Sequence, residues 1–189
     1  MVMVASWDQA PRAAADDGNG RTGRPPPVER RYDIRIDRAG VWHHEGRPIA
    51  RIALVKLFAS ILRRQADGSY WLATPVERGR IEVEDVPFVV VELSVDGIDH
   101  EQTIRVRSNL DEWVTIGPDH PLRLRRPPDG RSNSGLVPYV EIRPGLEGRL
   151  LRPVYYDLVD LGEDDQLEGI PRYGVWSAGR FFALDEQQE

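Results

Sequence analysis

Glu77–Leu93, ERGRIEVEDVPFVVVEL, has an echo at Leu146–Leu161, LEGRLLRPVYYDLVDL. Each stretch carries a glutamate, then Gly-Arg-Ile or Gly-Arg-Leu, then a proline, then a run rich in β-forming residues. A second pair, GVWHHEGRPIA (40–50) and GVWSAGRFFAL (174–184), shares Gly-Val-Trp and a later Gly-Arg. Internal similarity at two places predicts a small β-rich unit used twice.

The rest of the chain is read outward from these echoes. In YDIRID, Tyr32, Ile34 and Ile36 alternate with Asp33, Arg35 and Asp37, the period of a half-buried strand. The return strand at Val41–His44 makes a hairpin. Leu54, Leu57, Phe58, Ile61 and Leu62 then follow helical spacing, which predicts an amphipathic helix over about 50–64. Pro48 suits its first turn, and Arg63 and Arg64 suit its negative end. YWLAT, RIEVE, PFVVVELSV, TIRVRS, EWVTI, LRLRR, LVPYVEI and RPVYYDLVDL read as strands. GLEGRLL reads as a single helical turn, GEDDQLEG as an acidic loop, and YGVWS with RFFAL as a closing hairpin. PPDGRSNSG reads as a plain loop. The fold class is α+β and β-dominated: two related β-rich halves with one main helix. Residues 1–29 read as a disordered tail, in which Trp7 is the one aromatic residue. Residues 30–97 make the first half and 98–185 the second.

Composition excludes much chemistry. The chain has 189 residues and no cysteine, so thiolate nucleophiles, disulfides, cysteine-bound zinc and iron–sulfur clusters are ruled out. A reducing cytoplasm is the expected compartment. No apolar run approaches the roughly 20 residues that span a bilayer, and no signal peptide is read at the N-terminus. A net charge of −6 argues against non-specific coating of nucleic acid. GxSxG, Walker A, strand-linked GxGxxG and HExxH patterns are absent. No cofactor, metal ligand set or catalytic residue is assigned. His43 and His44 are adjacent on a strand and point to opposite faces, so the pair reads as hairpin rather than metal centre. His100 sits beside Asp99 and Glu101 at a turn, and His120 sits between Asp119 and Pro121.

Two binding signals survive. Arg105 and Arg107 share one strand face, as do Arg123 and Arg125, and four guanidinium groups on adjacent strands would make a bidentate anion site. Trp42, Trp71, Phe88, Tyr155, Tyr156 and Trp176 offer rings on which a planar group could stack, or they simply fill two cores.

The segments YDIRIDRAGVWHHEGRPI, LVKLFASILRR, YWLATPVERGRIEVEDVPF, GPDHPLR, RPVYYDLV and GVWSAGRFFAL, in that order, resemble the bacterial family called domain of unknown function 1285. The resemblance runs from about Tyr32 to Leu184. It implies a duplicated β-rich core whose second half is loosely pleckstrin-homology-like. It also implies a small anionic or nucleotide-like ligand between the halves, a signalling role, and no established catalysis. The motif positions expected to hold that ligand are Trp42, Glu77, Arg80, Asp85, Asn109, Arg152, Tyr155 and Trp176. A non-enzymatic sensor or adaptor is the leading reading. One alternative is a metal-assisted hydrolase using Glu77, Asp85 or His120. Another is a protein-interaction module working through an exposed strand edge or the acidic segment 157–168.

Overall fold

The computed structural model describes residues 28–127, 135–167 and 169–185. The expected tail up to residue 27, with Trp7, and residues 128–134 of the PPDGRSNSG loop lie outside the described residues.

The first sheet is built from β1 (Val28–Ile36), β2 (Trp42–His44), β3 (Arg47–Pro48), β4 (Leu62–Arg64), β5 (Tyr70–Ala73) and β6 (Glu77–Val83), in the order β3-β2-β1-β6-β5-β4. Every neighbour is antiparallel except the central β1–β6 pair, which is parallel. The second sheet uses β7 (Phe88–Asp96), β8 (Thr103–Ser108), β9 (Trp113–Thr115), β10 (Leu122–Arg125), β11 (Val137–Arg143) and β12 (Leu146–Leu150), in the order β10-β11-β12-β7-β8-β9. Its central pair, β7–β12, is again the parallel one. Counted within its own half, each sheet therefore runs 3-2-1-6-5-4. Two three-strand meanders are joined by parallel pairing of the first strand with the last. This is the duplication that the ERGR and LEGR echo marks, because those segments are β6 and β12.

Glycine recurs at that position because the partner element lies close. A Cβ on Gly79 would sit 2.3 Å from the Tyr32 ring, and one on Gly148 would sit 2.9 Å from Ile142. The echo ends after the Gly-Arg. Pro87 leads into β7, whereas Pro153 lies in the first turn of a helix, α2 (Arg152–Val159). The expected strand RPVYYDLVDL is therefore corrected. Its β-rich composition hides a helical period, for Leu151, Val154, Tyr155, Leu158 and Val159 face the core at i, i+3, i+4, i+7 and i+8. GLEGRLL is corrected the other way: Leu146, Gly148 and Leu150 are buried in strict alternation, so it is strand.

The main helix is shorter than expected. α1 spans Ile52–Ser60, Pro48 belongs to β3, and Arg63 and Arg64 to β4. Arg63 still serves the helix end, since Nη1 donates to the Ser60 carbonyl at 3.1 Å. Val28 and Glu29, assigned to the tail, begin β1 opposite Glu77 and Arg78. The sheets divide between Val83 and Phe88 rather than at Gly97, because β7 is a central strand of the second sheet.

A third sheet closes the chain: β13 (Glu163–Leu167), β14 (Ile170–Ser177) and β15 (Arg180–Ala183). The acidic segment read as a loop is thus a charged edge strand, a composition that discourages further pairing. The inner face of this sheet buries Val175, Ser177, Phe182 and Leu184. Ser177 Oγ accepts from the Ile104 amide at 2.9 Å and donates to the Ile116 carbonyl at 2.7 Å, tying the third sheet to the second. One continuous apolar core runs through all three sheets and both helices. Among the described residues no helix is long and apolar enough to cross a membrane.

The two GVW segments are both tight hairpins. Glu45-Gly46 and Ala178-Gly179 have positive φ at both turn positions, the I′ geometry. Two residues separate Trp42 from its turn, but only Ser177 separates Trp176 from its own. With side chains alternating along a strand, that one-residue difference reverses the face. Trp42 is 1% exposed and stacks on Phe58, while Trp176 lies on the outer face of the third sheet. The two tryptophans are not equivalent, and the third sheet lies outside the duplicated units.

Candidate functional site

The seam between the halves is filled by bonded polar groups. Asp85, in the link from β6 to β7, has a side chain only 1% exposed. It accepts from the Tyr139 hydroxyl at 3.0 Å and lies 3.2 Å from Arg149 Nε. Arg149 also donates to the Arg38 carbonyl at 2.7 Å, crossing to the first sheet. Burial first, then the Asp85 charge, pushes the Tyr139 phenol well above its ordinary range, so it stays a neutral donor. Asn109 donates to the Gly40 carbonyl at 3.1 Å and accepts from the Val89 amide at 3.1 Å. Lys56 bridges to Asp111 at 2.6 Å, and Arg143 to the Ala59 carbonyl at 2.6 Å.

The eight expected ligand residues are therefore dispersed. Asp85 and Asn109 share the seam and spend their polar atoms there. Trp42 is sealed in the core. Glu77 pairs with Arg30 at 3.4 Å and borders a cavity of about 890 Å³ beside α1. Arg80 is exposed at a different cavity, of about 590 Å³, on the first half. Arg152 and Tyr155 lie on α2, the first exposed and the second packed against the core, where burial raises its phenol pKa. Trp176 stands alone on the third sheet. The carboxylates and imidazole of the hydrolase reading do not converge either, since His120 Nδ1 is engaged with the Glu141 carbonyl at 2.8 Å. His43 turns to Asp37 at 2.8 Å while His44 is exposed, so the two imidazoles diverge.

The four-arginine surface is also corrected. β8 and β10 are separated by β7, β12 and β11. Arg107 is held by Glu92 and Asp111, Arg105 lies over the Trp113 ring, and Arg125 pairs with Glu147 at 2.8 Å. Arg123 alone is left, and the structure gives it other company.

A groove of about 1170 Å³ runs between β10 and β15. Both are edge strands of their sheets. Its ionisable lining is Arg123, Arg126, Arg172, Arg180 and Asp185. Arg172 is committed to Asp185 at 2.6 Å. Arg123, Arg126 and Arg180 are exposed and have no carboxylate partner among the described residues. The apolar floor includes Leu122, Leu124, Leu136 and Phe181, and Trp176 stands at one wall. That indole stacks on His100 at 4.6 Å and lies tilted against Phe181 at 5.7 Å, and its Nε1 donates to Asp165 at 2.8 Å. The groove thus offers positive charge above an apolar base, with its tryptophan already stacked. Sequence reading had no signal for it, because Arg123 and Arg180 meet only through the docking of one sheet edge against another.

The three cavities described above each draw their walls from one half. Among solved structures, a DUF1285 family protein from Silicibacter pomeroyi DSS-3 is 36% identical, with a TM-score of 0.75, over 87% of this chain and 89% of that one. A DUF1285 family protein from Shewanella baltica OS155 is 28% identical, with a TM-score of 0.53, over 68% of this chain and 91% of that one. No curated protein matches the chain. Residues 24–86 match the domain of unknown function DUF1285, N-terminal domain, and residues 87–184 match the protein of unknown function DUF1285, C-terminal domain. With its two sheets dividing where those two models meet, the chain belongs to the DUF1285 family.

Proposed function

We propose that the protein is a non-enzymatic binding protein, a sensor or adaptor in signalling, whose ligand is an anion with an apolar body seated in the groove between β10 and β15. The observation that carries this reading is three guanidinium groups on one groove without carboxylate partners among the described residues, in a chain of net charge −6. Arginine grips carboxylate and phosphate bidentately. The leucines and Phe181 beneath would bury the apolar part of the ligand. A nucleotide-like ligand would bind through its phosphates, because the Trp176 ring is already stacked on His100 and tilted against Phe181.

The test is a thermal-shift series on the full chain with inorganic phosphate, pyrophosphate, ATP and a fatty acid. A compound at about 100 times its Kd adds about 2.7 kcal/mol of stability. Arg123→Ala with Arg180→Ala should remove the shift while leaving the unliganded melting point within a degree or two. No shift from any of these compounds, or a shift that survives the double substitution, overturns the reading. A second reading follows from the two strand edges beside the groove: an acidic extended peptide adding itself as a strand. It predicts that a poly-glutamate peptide binds while the small anions do not.

A further inference from the structure

Three potential metal ligands meet where β13 passes the turn between β7 and β8. His100 sits in the 3-10 turn Asp99–Glu101 between β7 and β8. Glu163 and Asp165 lie two residues apart on β13 and so share a face. His100 Nε2 is 3.0 Å from Glu163 Oε1, and one ligand atom from each of the three residues lies within 4.8 Å of the others. Gln102, which ends the turn, is tied to the 176–178 segment by two bonds: its Nε2 donates to the Trp176 carbonyl at 2.9 Å, and its carbonyl accepts from the Ala178 amide at 3.1 Å.

Trp176 positions two of the three groups. Its ring stacks on the His100 imidazole at 4.6 Å and 21°, and its Nε1 donates to Asp165 Oδ2 at 2.8 Å. A donor that orients a carboxylate while its ring fixes an imidazole plane is the support that metal ligands require around them. The trio comes from two segments more than 60 residues apart in sequence, so local acidity does not account for it.

We propose that His100, Glu163 and Asp165 bind a Zn²⁺ ion, with the remaining coordination position open to solvent. One imidazole nitrogen and two carboxylate oxygens suit this ion, whose bonds to such ligands are about 2.0–2.2 Å. Bonds of that length place the ligand atoms about 3–4 Å apart, a small rotation from where they stand. Trp176 borders both this site and the arginine groove, but the ligands are different residues, and the test uses no phosphate or fatty acid.

The experiment is a ZnCl2 titration of the tag-free, EDTA-treated full chain, followed by calorimetry and by tryptophan emission. One equivalent should bind, and emission should change in step because His100 lies on Trp176. His100→Ala and Glu163→Gln should each weaken binding at least ~10-fold, and Trp176→Phe, read by calorimetry, about 10–100-fold. His120→Ala should leave affinity unchanged. Absence of binding, or binding that survives His100→Ala, overturns the proposal. So does binding lost instead with His43→Ala or His44→Ala, which would put the ion on the first hairpin.

Discussion

Arg80 and Arg149 occupy the same place in the two copies of one strand pattern, each following a close-packed glycine in the last strand of its half. Arg80 points to water. Arg149 is 20% exposed, set between the buried Asp85 carboxylate and the Arg38 carbonyl. The comparison separates what the scaffold needs from what the seam needs. Both copies require the glycine, because a ring or a branched side chain crosses directly over it. Only one copy faces its sister, and there the arginine has become an anchor. The largest effect we expect tests this. Asp85→Ala leaves the Arg149 guanidinium without its counter-charge and the Tyr139 hydroxyl without its acceptor, and breaking a buried pair costs about 3–5 kcal/mol. Arg80→Ala should stay within about 0.5 kcal/mol. Urea unfolding of both variants decides the matter, and a loss below about 1 kcal/mol for Asp85→Ala would dissolve the contrast.

The two tryptophan hairpins sharpen the same comparison, because here likeness of sequence hides a difference of face. Trp42→Ala empties a site enclosed by the first sheet and Phe58, and should cost about 3–5 kcal/mol. Trp176→Ala removes a partly exposed ring and one hydrogen bond to Asp165, so about 1–2 kcal/mol is expected. Equal losses from the two substitutions would mean that the added residue in the first hairpin does not reverse the indole.

At the seam, Asn109→Ala orphans the Val89 amide and the Gly40 carbonyl together, with an expected cost of about 1–3 kcal/mol. Gly40→Ala reaches the same joint from the other side, since φ there is +76° and a Cβ would lie 2.9 Å from Asn109 Nδ2. If the asparagine clasp is what resists the added methyl, Asn109→Ala should relieve part of the Gly40→Ala loss in the double variant. Strict additivity would show that the backbone conformation alone is responsible.

Local pattern carried the strands whose faces differ in polarity. β1, β8 and β10 alternate plainly, and the family was legible in the ordered segments. Where composition and periodicity disagreed, composition misled: Val154, Tyr155 and Val159 favour strands, yet their spacing is helical. β12 was misread for the same reason in reverse, its glutamate and leucines outweighing a clear period of two. The site was less legible. Parallel pairing of β1 with β6 joins residues about 50 apart, and nothing in either strand announces the other. Arg123 and Arg180 meet across two sheets. Asp85 and Asn109 were expected to hold a ligand; in the structure their polar atoms join the two halves, and only their partners reveal that.

The smallest effect we expect lies in the turn between the first and second strands, which the two halves build differently. In the second half this connection carries the 3-10 turn with His100. In the first half it is tight, and Asp37 holds it by accepting from the Ala39 and Val41 amides at 2.9 and 3.0 Å and bonding His43 at 2.8 Å. Burial opposes ionisation of Asp37 most strongly, but the bonds from His43, Val41 and Ala39 together outweigh it, so its carboxyl titrates below the ordinary range. A carboxyl with a lowered folded pKa contributes stability that is fully present above its unfolded value, near 3.9, and disappears as pH falls through the folded value. Asp37→Asn should therefore destabilise the chain at pH 7, and the gap from the natural sequence should narrow on acidification below about pH 4. Unfolding free energies measured from pH 7 downward test the sign. A gap that stays constant through the acid range would mean that the turn is held by its backbone alone, with the aspartate contributing no charge.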